Sequence, residues 1–135
     1  MSYRSHVSAI SEASPDFRRV LATGQKSQLV VMSIPPSEEV GEEVHHKTEQ
    51  TLFFQSGTGV ALVGEERFAI GPGDIVVVSP GTRHNFINTG SEPLKIITVY
   101  APAHHIDGRI HHTKADADAD TADEAFGEGM EEKEA

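Results

Sequence analysis

Between residues 17 and 101 the chain alternates short apolar runs with turn-forming punctuation. Runs rich in Val, Ile, Phe and Thr fall at 17–23, 28–34, 43–46, 50–55, 59–63, 67–70, 74–78, 83–88 and 94–100. Pro35-Pro36, Ser56-Gly57, Gly71-Pro72-Gly73 and Ser79-Pro80-Gly81 separate several of them, as expected of strands bounded by turns. No ten-residue window in this region carries the 3.6-residue stripe of an amphipathic helix. About nine short strands at this spacing predict an all-β protein, an antiparallel sandwich or barrel. The last run is apolar on both faces: Leu94, Ile96, Thr98 and Tyr100 share one side, and Lys95, Ile97 and Val99 the other. Such a strand needs cover on both sides.

The flanks read differently. Residues 1–16 are polar and small, an N-terminal arm without a clear period, and the barrel domain is expected over 17–103. Residues 104–135 are first His-rich and then acidic, with few large apolar side chains, and predict an exposed, partly mobile tail. His104, His105, His111 and His112 are expected on its surface.

Composition then narrows the function. The 135 residues are 37% hydrophobic and include no Cys, which excludes disulfides, thiolate metal sites and thiol nucleophiles. No run approaches the roughly 18 apolar residues of a membrane helix, and residues 1–12 do not resemble a secretory leader. A cytoplasmic protein without a membrane partner is expected. The formal charge of −10 is mostly a property of the tail, the remainder carrying about −2. The chain has no basic stripe for phosphates, so no nucleic-acid partner is expected.

Two stretches carry candidate chemistry, SEEVGEEVHHKTEQTLFFQSG over 37–57 and GDIVVVSPGTRHNFIN over 73–88. Strand parity turns Glu43 and His45 to one side, and places His84, Phe86 and Asn88 on a shared face. Glu43, His45, Gln50 and His84 can then converge among apolar residues. One carboxylate, two imidazoles and an amide oxygen suit a divalent ion such as Zn, Fe, Mn, Ni or Cu. His46 is expected on the opposite side from His45, and Asn88 in a turn-stabilising role. Phe54, Phe86 and Tyr100 are candidate walls of a substrate pocket.

These stretches resemble the two motifs of the cupin superfamily, G-x5-H-x-H-x3,4-E-x6-G and G-x5-P-x-G-x2-H-x3-N. Every spacer length of the first is kept, with Ser37, Glu43, His45, Gln50 and Gly57 at its defined positions. In the second, Gly73, Gly81, His84 and Asn88 match and Ser79 replaces Pro. The resemblance is to small single-domain cupins, often labelled mannose-6-phosphate isomerase-like. It implies a double-stranded β-helix (jelly-roll) barrel, a divalent metal between its sheets, a small-molecule ligand and a homodimer in which Ile97 and Val99 find cover. The family's usual ligands are three His and one Glu; Glu43 stands here for a His and Gln50 for the Glu. The chain is therefore expected to be a metal-binding cupin, either an enzyme of the isomerase or dioxygenase kind, a non-catalytic ligand-binding or sensing domain, or a purely structural barrel. Glu43 is the candidate catalytic residue, as ligand or general base.

Overall fold

The computed structural model describes the backbone of residues 2–134 and the side chains of residues 2–130. Nine strands and three helices are formed among them: α1 (Val7–Ala13), β1 (Arg18–Thr23), β2 (Gln28–Ile34), β3 (Glu49–Ser56), β4 (Gly59–Val63), β5 (Glu66–Ile70), β6 (Ile75–Val78), β7 (His84–Asn88), β8 (Leu94–Ala101), β9 (Ile110–His111), α2 (Lys114–Ala119) and α3 (Thr121–Glu134). A six-stranded sheet runs β6-β3-β8-β2-β1-β9 and faces a three-stranded sheet β5-β4-β7. All strand pairs are antiparallel.

The double-stranded β-helix is present, but its sheets do not close into the expected barrel. The segment that would join them, between β2 and β3, forms no continuous ladder with β7 but meets it at isolated bridges, Glu39 with Ile87 and Glu43 with His84. Gly41, at φ 110°, interrupts the extended run between those bridges. The expected strand at 43–46 is therefore reduced to a single rung.

Alternation along the strands builds the core. Val30, Met32 and Ile34 of β2, Leu52 and Phe54 of β3, and Leu94, Ile96 and Tyr100 of β8 point inward, meeting Ala61 and Phe86 of the smaller sheet. The Phe54 and Phe86 rings lie 5.6 Å apart. Each such fully buried side chain contributes roughly 1.5–3 kcal/mol.

The outer face of β8 finds cover within the chain itself. Helix α1 lies on it, with the Lys95 ammonium donating to the Ser14 carbonyl at 2.7 Å and the Ser8 hydroxyl to Gln55 Oε1 at 2.7 Å. Ile97 and Val99 are half-buried. A seven-residue helix of mostly small residues lacks a legible stripe, which is why the arm does not announce it.

The tail also folds. Thr113 caps α2 by accepting from the Asp116 amide at 3.1 Å. Arg109 and His111 both bind the Asp120 carboxylate, at 2.7 and 2.9 Å. His105 Nδ1 and the Ile106 amide both bind Asp123, each at 2.7 Å. His105 and His111 are 5% and 3% exposed, which corrects the surface placement expected for them. His112 stays on the surface, paired with Asp16.

Candidate metal centre

The backbones of Glu43 and His84 exchange two hydrogen bonds, at 3.0 and 2.9 Å. Opposed residues of such a rung project to the same side, and His45, two positions on, joins them. The Gly81 amide pins the His45 carbonyl at 2.7 Å. Carboxylate and imidazole donors of Glu43, His45 and His84 consequently lie within 4.8 Å of one another. Donors bound to one ion at 2.0–2.2 Å stand no more than about 4.4 Å apart, so the trio is close to ligating geometry.

Local hydrogen bonding sets each donor. His84 Nδ1 lies 2.9 Å from the Thr82 carbonyl, which can only accept, so this nitrogen holds the proton and Nε2 keeps its lone pair. Burial lowers the His84 pKa, against the opposing pull of Thr82, and favours the neutral ring. His45 is 4% exposed, and its Nε2 lies 3.0 Å from Glu43 Oε2 but forms no aligned hydrogen bond with it. Two donors facing one another without a shared proton suit a cation between them. Burial pushes the Glu43 carboxyl up, but contact with His45 and the Arg18 guanidinium outweigh it and hold the group at about 2. Arg18 Nη2 stands 3.8 Å from Glu43 Oε1.

Gln50 follows the same logic. The Thr98 hydroxyl spends its proton on the Thr51 carbonyl at 2.9 Å, so it accepts from Gln50 Nε2 at 3.0 Å. That orients the amide and leaves Gln50 Oε1 buried without a partner. Gln50 pairs across the sheet with Tyr100, whose ring contacts His45 edge-on at 5.9 Å. An unpaired buried carbonyl costs about 1–3 kcal/mol, a cost removed by a cation. The residues present therefore fit a divalent ion bound by nitrogen and oxygen donors. His111, Asp120 and Asp123, the other group of potential metal ligands within 4.8 Å among the described residues, also includes an unpartnered buried atom, His111 Nδ1, but its carboxylates are not free. There both carboxylates are already bonded to Arg109, His111, His105 and backbone amides.

Beside the trio opens a cavity of about 600 Å³. Its strand side includes Phe17, Arg18, Glu43 and His45, and its other wall is supplied by His104, His105 and the two C-terminal helices. The expected pocket residues lie elsewhere: Phe54, Phe86 and Tyr100 are at most 1% exposed within the core, outside the cavity wall. Their size and apolarity draw them into the space between the sheets.

The fold and motifs acquire a name through comparison with known families. The family model for the cupin domain matches residues 30–100. This chain is a cupin. It is 35% identical over 118 residues to the uncharacterized protein YrkC of Bacillus subtilis, covering 83% of this cupin and 63% of that protein. A Bacillus halodurans crystal structure superposes with a TM-score of 0.87 at 32% identity, over 88% of this chain and 95% of that one. A predicted oxalate decarboxylase of Thermotoga maritima aligns with a TM-score of 0.56 at 25% identity, over 58% and 69% of the two chains.

Several residues around this cupin's cavity escape a motif-based reading. Arg18 shares strand parity with the buried Val20, a signal that it faces inward. His104 has its ring 4.2 Å from that of His45. Burial and the neighbouring His45 push its pKa down to about 3. Gly127 of α3 presses against it: a Cβ at that position would stand 2.9 Å from His104 Nε2 and from its carbonyl oxygen. The sequence marks His104 only as one of four tail histidines; its docking depends on a helix that the acidic composition conceals.

Proposed function

We propose that this cupin is a metal-dependent enzyme acting on a small molecule, with Glu43, His45, Gln50 and His84 holding one divalent ion. The observation that carries the reading is the meeting of three donor side chains within 4.8 Å of one another, taken together with a buried, unpartnered amide oxygen on Gln50 of β3. Once bound, the ion supplies Lewis acidity or redox chemistry of the kind used in carbonyl isomerisation or dioxygenation. His45 and His84 anchor it through ring nitrogens. Glu43 retains 28% side-chain exposure and borders the cavity, so its ionised carboxylate is available as a ligand or as a proton acceptor for bound substrate. Arg18 positions that carboxylate, and the helical wall excludes bulk water.

Gln50 favours one other reading, a ligand-binding or sensing domain, because a neutral amide is a weaker donor than a carboxylate. Elemental analysis of the full chain, together with its His45→Ala and His84→Ala variants, tests the metal. One ion per chain, lost in both variants, supports the proposal; undiminished metal in either overturns it. Turnover of a carbonyl or enediol substrate by the loaded protein, abolished in Glu43→Gln, separates enzyme from sensor. A homodimer completes the reading, supported by Ile75 and Val77 on edge strand β6, which remain 62% and 55% exposed.

A further inference from the structure

The charges around the cavity are distributed unevenly. Carboxylates of Glu39, Glu42 and Glu43 border it from the strand side, and those of Asp118, Asp123, Glu124 and Glu128 from the helical side. Against these seven stand two permanent cations in the wall, Arg18 and Lys114, and a third just outside it, Arg83, which pairs with Glu42 at 3.2 Å. Lys114 is bound to Asp118 at 3.0 Å, and Arg18 lies beside Glu43. Even a divalent ion at the trio leaves the surroundings net negative.

Two of these carboxylates are not explained by the fold. Glu124 and Glu128 lie four residues apart on α3, have no ion pair among the described residues, and both face the cavity. Like charges at that spacing cost a helix a few tenths of a kcal/mol. The cavity wall also carries an unsatisfied polar atom that the metal site does not use: His105 Nε2, on a side chain 5% exposed, has no hydrogen-bond partner. The space is therefore built to take a polar molecule, and its entrance repels anions.

We propose that the cavity selects a small organic cation, an amine-bearing molecule, and discriminates against phosphorylated ligands. This rests on the reading of the cavity as the ligand site, and it names the class of ligand. Protonated amine groups meet Glu124 and Glu128 at the mouth, while the polar body of the molecule reaches toward the unsatisfied His105 nitrogen. A phosphate dianion entering the same way meets only repulsion until it reaches Arg18 or the ion.

The test is calorimetry on the full chain, with and without one equivalent of Zn²⁺, using putrescine and spermidine as amine probes and mannose 6-phosphate and inorganic phosphate as anions. Saturable amine binding is expected at one site, weakened about fourfold by Glu124→Gln/Glu128→Gln, or roughly twofold per carboxylate at this range. Glu65→Gln/Glu66→Gln, which removes the same charge from the β4–β5 turn, is expected to leave the affinity unchanged. Equal weakening by both double variants, absence of saturable amine binding, or tighter binding of mannose 6-phosphate overturns the proposal. The Zn²⁺ titration without probe reads the metal site separately, so failure of the metal reading and failure of amine selection are distinguishable.

Discussion

Replacing Asp123 with Ala tests whether the C-terminal helices are a built wall of the cavity. The Asp123 carboxylate accepts from His105 Nδ1 and from the Ile106 amide, both at 2.7 Å, and is itself 5% exposed. Hydrogen bonds to a charged group contribute about 1.5–3 kcal/mol each. Relief of the buried charge offsets part of that, leaving about 3 kcal/mol, or a factor of roughly 100–200 in an opening equilibrium. Besides Asp120, which Arg109 and His111 hold at the helix start, and the close approach of Gly127 to His104, little anchors α3, whose described side chains Phe126 and Met130 are only half-buried. An isolated 14-residue helix is marginal in water, so amide protection in α3 reports its docking. Native-state hydrogen exchange on peptides spanning 121–130 should show protection falling about a hundredfold in Asp123→Ala, while β2 and β8 keep theirs. Asp123→Asn, which keeps an acceptor for the Ile106 amide, should lose less. Unchanged α3 protection would refute the reasoning, as would an equal loss in β2 and β8.

Three further predictions concern strain, protons and assembly. Ser37, where the motif has Gly, sits at φ 69°; Ser37→Gly should stabilise the protein by about 0.5–1 kcal/mol in urea unfolding. His104 and His105 have folded pKa values of about 3 and about 4, below their ordinary 6.5, so the unfolded chain takes up protons first. Their stabilisation is complete above pH 6.5 and is lost as pH falls toward those values, each by up to about 1.4 kcal/mol per pH unit. Metal-free protein should be less stable at pH 5 than at pH 7 by about 2–4 kcal/mol in urea titrations, with Glu43 adding a further loss below pH 4.5; a flat profile contradicts the burial argument. Light scattering should report a dimer that Ile75→Glu/Val77→Glu converts to monomer, and an unchanged mass would remove β6 from the interface.

The strands and the Glu43–His45–His84 cluster were legible because both depend on a two-residue period. Parity alone groups Glu43 with His45, and motif spacing brings His84 to them. Where the chain departs from that period, legibility fails: Gly41 interrupts the run ahead of the expected 43–46 strand, which is left with one rung, and the wall between the sheets does not close. Phe54 and Phe86 illustrate another limit, since parity shows that they point inward but not whether inward means core or cavity. The tail is least legible of all. Its helices are held by polar pairs such as His105 with Asp123 and Arg109 with Asp120, and such pairs have no hydrophobic signature. His104, against which Gly127 of α3 packs, is a neighbour of the site that no motif marks.

Crystals of the full chain grown with one equivalent of Ni²⁺ or Zn²⁺, with data collected at the metal's absorption edge, test the central claim most directly. A single strong anomalous peak should lie about 2.0–2.2 Å from the imidazole nitrogens of His45 and His84 and from oxygens of Glu43 and Gln50. A peak only at His111, Asp120 and Asp123, or none between His45 and His84, would contradict the account.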